Sequence, residues 1–356
     1  GSHNPKHHNR FKIVLAGQTL YGDDLQELYR IIVSGAFMTG QGHVFEDDLG
    51  GEYMRTVVDR FETPLPLKVV VDCGNGIAGT LTPTLFRELG CTVHNLYCEV
   101  DGDFPHHHPD PTDPENLREL ADTVLEQKAD LGLAFDGDGD RLGVVSSAGR
   151  VISPDRLLML YAMEMLPRRP GANIIFDVKC SNNLPTLIRQ YGGRPVMSRT
   201  GHSFIKERMR ELDAPLAGEM SGHLFFRDGW YGFDDALYAA ARLLAILASV
   251  PMSSEAIFDA LPDNVATPEL RVPVAEDDKD AIMDELLADP AFADGERSTL
   301  DGLRVDFEYG WGLVRPSNTT PNLILRFEAD TKPDLDRIQA LFRGALLRAG
   351  AVVHSF

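Results

Sequence analysis

The chain is 356 residues long, with 34 Lys and Arg against 54 Asp and Glu, a formal net charge of −20, and 43% hydrophobic residues. So acidic a balance argues against nucleic-acid binding, which needs an excess of Lys and Arg along the phosphates. The apolar content excludes disorder for most of the chain, and at roughly 150 residues per domain the length suggests two or three domains.

Residues 1–50 end in a Gly-rich segment, Gly35 to Gly51, which places a boundary near Gly50-Gly51. Short β-branched runs follow, each emptying into a polar loop: Lys68 to Val71 before Asp72-Cys73-Gly74-Asn75-Gly76, Leu131 to Phe135 before Asp136, and Asn173 to Phe176 before Asp177. Helical periods lie between them, the pattern of repeated mixed α/β domains. In open α/β sheets ligands collect at the carboxyl ends of the strands, so the polar residues after these runs are where chemistry is expected. A second boundary is read near Arg150, before Ser153-Pro154-Asp155, an N-cap, first-position proline and first-turn acid for a helix carrying Leu157, Leu160 and Tyr161.

From about Asp263 the texture changes to a strand (Leu270 to Val274), a helix (Asp278 to Ala288), a hairpin signal at Asp301-Gly302, a strand (Leu323 to Phe327) and a closing helix. That helix places Leu335, Ile338, Leu341, Phe342, Ala345 and Leu346 on one face, and the order β-α-β-β-α reads as a small C-terminal α+β domain.

The longest apolar stretch, Leu243 to Val250, is far short of the roughly 20 residues that a bilayer span needs, and no basic, apolar, cleavable leader opens the chain. The protein is therefore read as cytoplasmic, with no membrane partner. Cys73, Cys91, Cys98 and Cys180 are too widely spaced for a C-x-x-C pair and too few for a disulfide framework, so they read as idle reduced thiols. His106, His107 and His108 are consecutive and do not converge readily on one ion; a packing role in the loop is expected.

Asp136-Gly137-Asp138-Gly139-Asp140-Arg141, directly after an apolar strand, is the sharpest signal. Three carboxylates at alternate positions on a glycine-flexed loop supply the hard oxygen ligands that Mg²⁺ prefers. An EF-hand starting at Asp136 is excluded, since its sixth and twelfth positions would be Arg141 and Ser147. An aspartyl phosphatase stays open as a weaker reading. Arg315-Pro316-Ser317-Asn318-Thr319-Thr320 offers a guanidinium fork, hydroxyls and backbone N–H groups for a phosphate dianion. Gly218-Glu219-Met220-Ser221-Gly222-His223 offers a carboxylate, a hydroxyl and an imidazole suited to sugar hydroxyls. At the N-terminus Ser2 is a candidate phosphoryl carrier, with Lys12 within reach as a proton-transfer or phosphate-neutralising partner.

In this order and at these separations, the four loops, the first read as Ser2-His3-Asn4-Pro5, resemble the α-D-phosphohexomutase superfamily, closest to bacterial phosphomannomutase/phosphoglucomutase. Val71 to Gly76, Tyr97 to Gly102 and Thr200-Gly201-His202-Ser203 carry the resemblance across the chain. It implies a four-domain enzyme with a central cleft lined by one loop per domain. Residues 1–50 would be a remnant of domain 1 with the phosphoserine loop, 51–150 domain 2 with the metal-binding loop, 151–262 domain 3 with the sugar-binding loop, and 263–356 domain 4 with the phosphate-binding loop. Relatives extend further before the serine loop, so domain 1 is expected to be mostly missing and the segment by itself to be weakly active or inactive. Met220 speaks against an amino-sugar mutase, where Gln is usual.

By position, the resemblance implies that Ser2 is the phosphoserine and, with Asp136, Asp138 and Asp140, binds Mg²⁺. Lys12 and His202 become candidates for proton transfer. Arg141 would help hold the transferring phosphate, Glu219 and Ser221 would bind sugar hydroxyls with Lys179 and His223 nearby, and Arg315, Ser317, Asn318 and Thr319 would grip the other phosphate. The expected reaction moves phosphate between the 1- and 6-hydroxyls of mannose or glucose, with a hexose 1,6-bisphosphate as intermediate and activator, in a monomer acting on phosphosugars. A sugar-phosphate phosphatase and a catalytically impaired sugar-phosphate-binding fragment are the alternatives.

Overall fold

The structure, a computed structural model, describes residues 11, 13–16, 18–62, 64–317 and 320–353. Among them three sheets follow one another along the chain, after a hairpin of Val14–Leu15 with Gln18–Thr19. The expected strand over Phe11 to Ala16 is thus short, and the helix after it, Asp23–Ser34, has no buried residue.

The first sheet runs in the order Thr92–Leu96, Lys68–Asp72, Leu131–Phe135, Leu142–Ser146, Val151–Ile152. Its first three strands are parallel and the last two antiparallel. The central strands are apolar throughout because both faces are covered. Val69 and Val71 pack with Leu85 and Phe86 on one side, while Val70 packs with Leu117, Leu120 and Val124 on the other. That arrangement places Asp72 and Asp136 together at the carboxyl edge.

The second sheet repeats the plan in the order Leu224–Phe226, Leu216–Gly218, Asn173–Asp177, Arg194–Ser198, with only Leu224–Phe226 antiparallel. One continuous apolar core, running from Val69 and Phe135 through Leu157 to Ile174 and Phe226, joins the two sheets. Pro154 starts its helix as expected, but Ser153 does not cap it: the hydroxyl donates to Asp155 Oδ1 at 2.5 Å. Asp155 has been drawn inward, where its other oxygen accepts the Ser181 N–H at 3.0 Å.

The third sheet is antiparallel, with six strands rather than the three expected. Glu296–Ser298 is only three residues long and Gly310–Pro316 opens on Gly-Trp-Gly without alternation, whereas Leu303–Phe307 alternates as a strand does and follows the expected Asp301-Gly302 turn. Helices Lys279–Ala288 and Lys332–Arg348 cover one face, and Leu335, Ile338, Phe342, Ala345 and Leu346 form the buried stripe with Leu341 at its margin. Phe342 lies against Gly312, where a Cβ would meet its ring at 2.4 Å. The other face meets the second unit through Trp311 and Leu313 against Val178, and through Arg304, which donates to the carbonyls of Val178 at 2.5 Å and Cys180 at 3.1 Å. Among the described residues, no helix is long and apolar enough to cross a membrane.

Candidate active site

Strand Leu131–Phe135 delivers Asp136, fully buried, to the sheet's carboxyl edge. Its Oδ1 accepts the N–H groups of Asp140 at 3.0 Å and Arg141 at 3.1 Å, and its Oδ2 accepts Arg141 Nε at 2.7 Å. These bonds close residues 136–141 into a tight loop in which Gly139 takes φ +75°. Arg141 Nη1 continues to Asp110 at 3.1 Å. Burial disfavours the Arg141 charge, but Asp136 and Asp110 more than offset it and raise its pKa.

One oxygen from each of Asp136, Asp138 and Asp140 lies within 4.8 Å of the others, with Asp138 exposed at the tip. At about 4 Å each like-charged pair costs about 1 kcal/mol in water and about 4 at an effective dielectric of about 20. Arg141 offsets part of this, and the donor set of three convergent carboxylates fits a hard divalent cation.

The second loop is sewn onto the first. Leu142 N–H donates to the Gly222 carbonyl at 3.0 Å, and a Cβ on Gly222, at φ +93°, would fall 2.9 Å from Leu142 O. Glu219 folds the turn by donating its N–H to the His223 carbonyl at 2.9 Å. His223 then sits between two carboxylates, Nδ1 at 3.2 Å from Glu219 and Nε2 at 3.3 Å from Asp140, with Ser221 Oγ 2.8 Å from Nδ1. Burial alone would lower its pKa, but Asp140 and Glu219 push it up to about 10.

Asp140, His223 and Asp234 also present atoms within 4.8 Å of one another. Both ring nitrogens of His223 face carboxylates, so the imidazole acts as a cation and offers no lone pair to a metal. This trio is an ion-pair cluster. His202 adjoins it, Nδ1 at 3.9 Å from Asp234 and its ring 6.0 Å from that of His223.

A third group links this cluster to the C-terminal sheet. Lys179 Nζ lies 3.1 Å from Glu269 and 3.8 Å from Asp177. Burial works against its charge, and Glu269 and Asp177 hold its pKa above the usual value. Asp177 also accepts the Thr200 hydroxyl at 2.9 Å and the Met220 N–H at 3.1 Å. Beyond them Asp301 Oδ2 accepts both the Thr200 N–H and Arg315 Nε at 2.9 Å, so the turn residue of the expected hairpin is the tie between sheets. Ser317 follows Arg315, and its carbonyl accepts Lys279 Nζ at 2.9 Å.

The structure therefore brings Asp136, Asp140, Arg141, His202, Glu219, Ser221, His223, Lys179 and Arg315 together through polar contacts that pass by way of Asp234, Asp177, Asp301 and the Thr200-Gly201 backbone, with Asp138 beside the other aspartates and Ser317 two residues beyond Arg315. Ser2, Lys12, Asn318 and Thr319 lie outside the described residues. Sequence reasoning did not find the roles of Asp234, Glu269, Asp301 or Lys279. Asp301 carried a turn signal and Lys279 a helical one, and nothing in their neighbours announced the long-range partners.

The phosphoglucomutase/phosphomannomutase models match three successive stretches: alpha/beta/alpha domain II over residues 51–149, alpha/beta/alpha domain III over 153–265 and the C-terminal domain over 269–345. The chain belongs to this family. It is 55% identical over 346 residues to the phosphomannomutase/phosphoglucomutase of Pseudomonas aeruginosa, covering 97% of this chain and 75% of that one. A phosphoglucomutase of Neisseria meningitidis is 48% identical over 350 residues, with 97% and 76% covered. The crystal structure of a phosphoglucomutase/phosphomannomutase family protein from Burkholderia thailandensis superposes with a TM-score of 0.93 at 51% identity, over 98% of this chain and 76% of that one. The multidomain α/β expectation holds, and the chain is a phosphohexomutase, an isomerase of a metal-requiring family. The phosphatase alternative is not favoured.

Proposed function

We propose that this phosphohexomutase interconverts the 1- and 6-phosphates of mannose or glucose through phospho-Ser2 and a hexose 1,6-bisphosphate. The observation that carries the reading is the run of polar contacts from Asp140 through His223 and Glu219 to the Gly201 N–H, and from the adjoining Thr200 N–H through Asp301 to Arg315. A group at the aspartates and a phosphate at Arg315 would thus occupy one site. O1 and O6 are at opposite ends of a hexose, so one displacement cannot exchange them. Phospho-Ser2 donates to the free hydroxyl: the bond from phosphorus to the Ser2 oxygen breaks, a bond to the sugar oxygen forms, and the hydroxyl proton passes to Lys12 or His202. The bisphosphate turns end for end and its other phosphate returns to Ser2.

The aspartates, with Ser2, would hold Mg²⁺, which when bound offsets charge on the transferring phosphoryl group. Arg141 would help hold that phosphoryl group. Glu219 and Ser221 bind sugar hydroxyls beside Lys179 and His223. Arg315, Ser317, Asn318 and Thr319 grip whichever phosphate is not reacting, a task that favours a guanidinium and hydroxyls over a closely shaped pocket. For a dianionic substrate to bind a chain of net charge −20, Lys12, Arg141, Lys179 and Arg315 would have to face it, with the metal offsetting the aspartates. We assign residues 1–50, 51–150, 151–262 and 263–356 to four domains, one loop each, and read the protein as a cytoplasmic monomer.

The test is intact-protein mass spectrometry after incubation with glucose 1,6-bisphosphate. One added phosphoryl group, absent in Ser2→Ala and retained through mild acid, is expected. Addition at an aspartate, or retention in Ser2→Ala, would overturn the assignment.

A further inference from the structure

The carboxyl edge of the first sheet holds a feature that the mutase chemistry does not use. Lys68–Asp72 and Thr92–Leu96 are parallel neighbours with Asp72 opposite Leu96, and Cys73 and Cys98 lie just past the ends of these two strands. Although 25 positions apart in sequence, their Sγ atoms are 3.5 Å apart. Cys73 is buried and Cys98 half-buried. The other two thiols differ: Cys91 is buried against the Leu65 carbonyl and Cys180 against Asp177.

We propose that Cys73 and Cys98 are a modification site, closing to a reversible disulfide when the protein meets a peroxide, and that the closure disturbs the loop of three aspartates. The Cys98 thiolate attacks one peroxide oxygen, the O–O bond breaks, and Cys98 becomes a sulfenic acid while the other oxygen leaves as water. Cys73 sulfur then attacks Cys98 sulfur, the S–O bond breaks, and hydroxide leaves as a second water with the Cys73 proton. Two thiols and one peroxide give one disulfide and two waters.

The order of attack follows from the surroundings. Contact with Cys73 holds the Cys98 thiol below the ordinary cysteine range, with Arg87 assisting, although its burial and Asp72 act in the other direction. Contact with Cys98, together with burial, raises the Cys73 thiol well above that range. Cys98 is also the less buried of the two, so a peroxide meets it first, which makes the outer cysteine the nucleophile and the inner one the resolving thiol.

The consequence for the metal loop is steric. Bond formation shortens the 3.5 Å separation to about 2.05 Å, which draws the two chain segments together. Cys98 has little room, because a Cβ on Gly79 would lie 2.1 Å from its carbonyl oxygen. The same turn rests on the metal loop. A Cβ on Gly76 would lie 2.8 Å from Gly137 Cα, and Ile77 N–H donates to the Gly137 carbonyl at 3.0 Å. Gly137 stands between Asp136 and Asp138, so movement of Cys98 reaches the aspartates through two backbone contacts.

The experiment exposes the reduced full chain to hydrogen peroxide. An intact mass lower by two hydrogens, about 2 Da, is expected, with one linked peptide pair containing Cys73 and Cys98, reversed by dithiothreitol. The loss disappears in Cys98→Ser and persists in Cys91→Ser. The oxidised chain should lose mutase rate about tenfold, as displaced catalytic groups do, while Cys98→Ser keeps its starting rate under peroxide. A gain of oxygen with no linked peptide, or a linkage through Cys91 or Cys180, overturns the disulfide. A linked pair with unchanged rate and unchanged Mg²⁺-dependent melting overturns the coupling to the aspartates. Mass and peptide mapping read the thiols directly, so the disulfide stands or falls independently of the Ser2 mechanism.

Discussion

Lys279 holds the main-chain oxygen of Ser317: its buried ammonium donates to that carbonyl at 2.9 Å. It also donates to the Thr320 carbonyl at 2.7 Å and pairs with Glu276 at 2.7 Å. A helix residue of the C-terminal unit thereby fixes both ends of the segment that would grip phosphate.

Lys279→Met keeps the aliphatic stem and removes the donors. Hydrogen bonds to a charged group contribute about 1.5 to 3 kcal/mol, so the loop should loosen and KM for the hexose phosphate rise about tenfold, with kcat changed less. Steady-state kinetics with glucose 1-phosphate checks this. An unchanged KM would remove Lys279 from the positioning role.

Asp136 and Asp138 should separate metal binding from folding. Asp136 is fully buried and bonded to Arg141, so Asp136→Asn breaks a buried pair and should cost about 3 to 5 kcal/mol. Asp138 is exposed, and Asp138→Asn should stay within about 0.5 kcal/mol of the parent. The melting temperature should rise with added Mg²⁺ in the parent and not in Asp138→Asn. Urea melts and thermal melts with and without the ion decide it; equal destabilisation by both substitutions would contradict the structure.

Arg304 should govern attachment of the third sheet. It is 1% exposed, and besides its bonds to Val178 and Cys180 its guanidinium lies 3.8 Å from the Trp311 ring centroid. Arg304→Met leaves those carbonyls without their donor, at a cost of about 1 to 3 kcal/mol for each. Calorimetry should resolve a separate early transition for the C-terminal sheet. A single transition at the parent midpoint would count against this.

His107 should impose a pH dependence on stability. Its Nε2 lies 3.0 Å from Asp72, with the Tyr97 ring edge-on, Glu119 near, and Glu115 and Arg118 lining the same cavity. Burial alone would lower its pKa, but Asp72 and the His108 carbonyl outweigh it and raise the value above 6.5. The pair's contribution is then complete below 6.5 and is lost as pH rises through the higher folded value. Urea melts on both sides of that interval should show the parent losing stability relative to His107→Gln as pH rises. A constant difference would refute it.

How much of the fold and site was open to sequence reading depended on distance along the chain. Leu131 to Phe135 was legible because a strand covered on both faces is a continuous apolar run, and the acidic loop because its three carboxylates are near neighbours. Glu296–Ser298 was not, since its pattern carries no clear period and only pairing with Leu303–Phe307 makes it a strand. Asp301 is harder still. Asp-Gly signals a turn, and the side chain's meeting with Arg315 and Thr200 is settled by how two sheets pack. The adjacency of Cys73 and Cys98 likewise arises from strand order, which residue spacing does not encode.

Asp136 has one further implication. Each of its oxygens is already occupied by a donor from its own loop, two peptide groups on one side and a guanidinium on the other. The loop's shape is thus maintained by protein alone, and an arriving ion need not supply the energy of folding it. Chelation should therefore silence the enzyme while leaving it intact and rechargeable, with metal traffic kept apart from the survival of the chain.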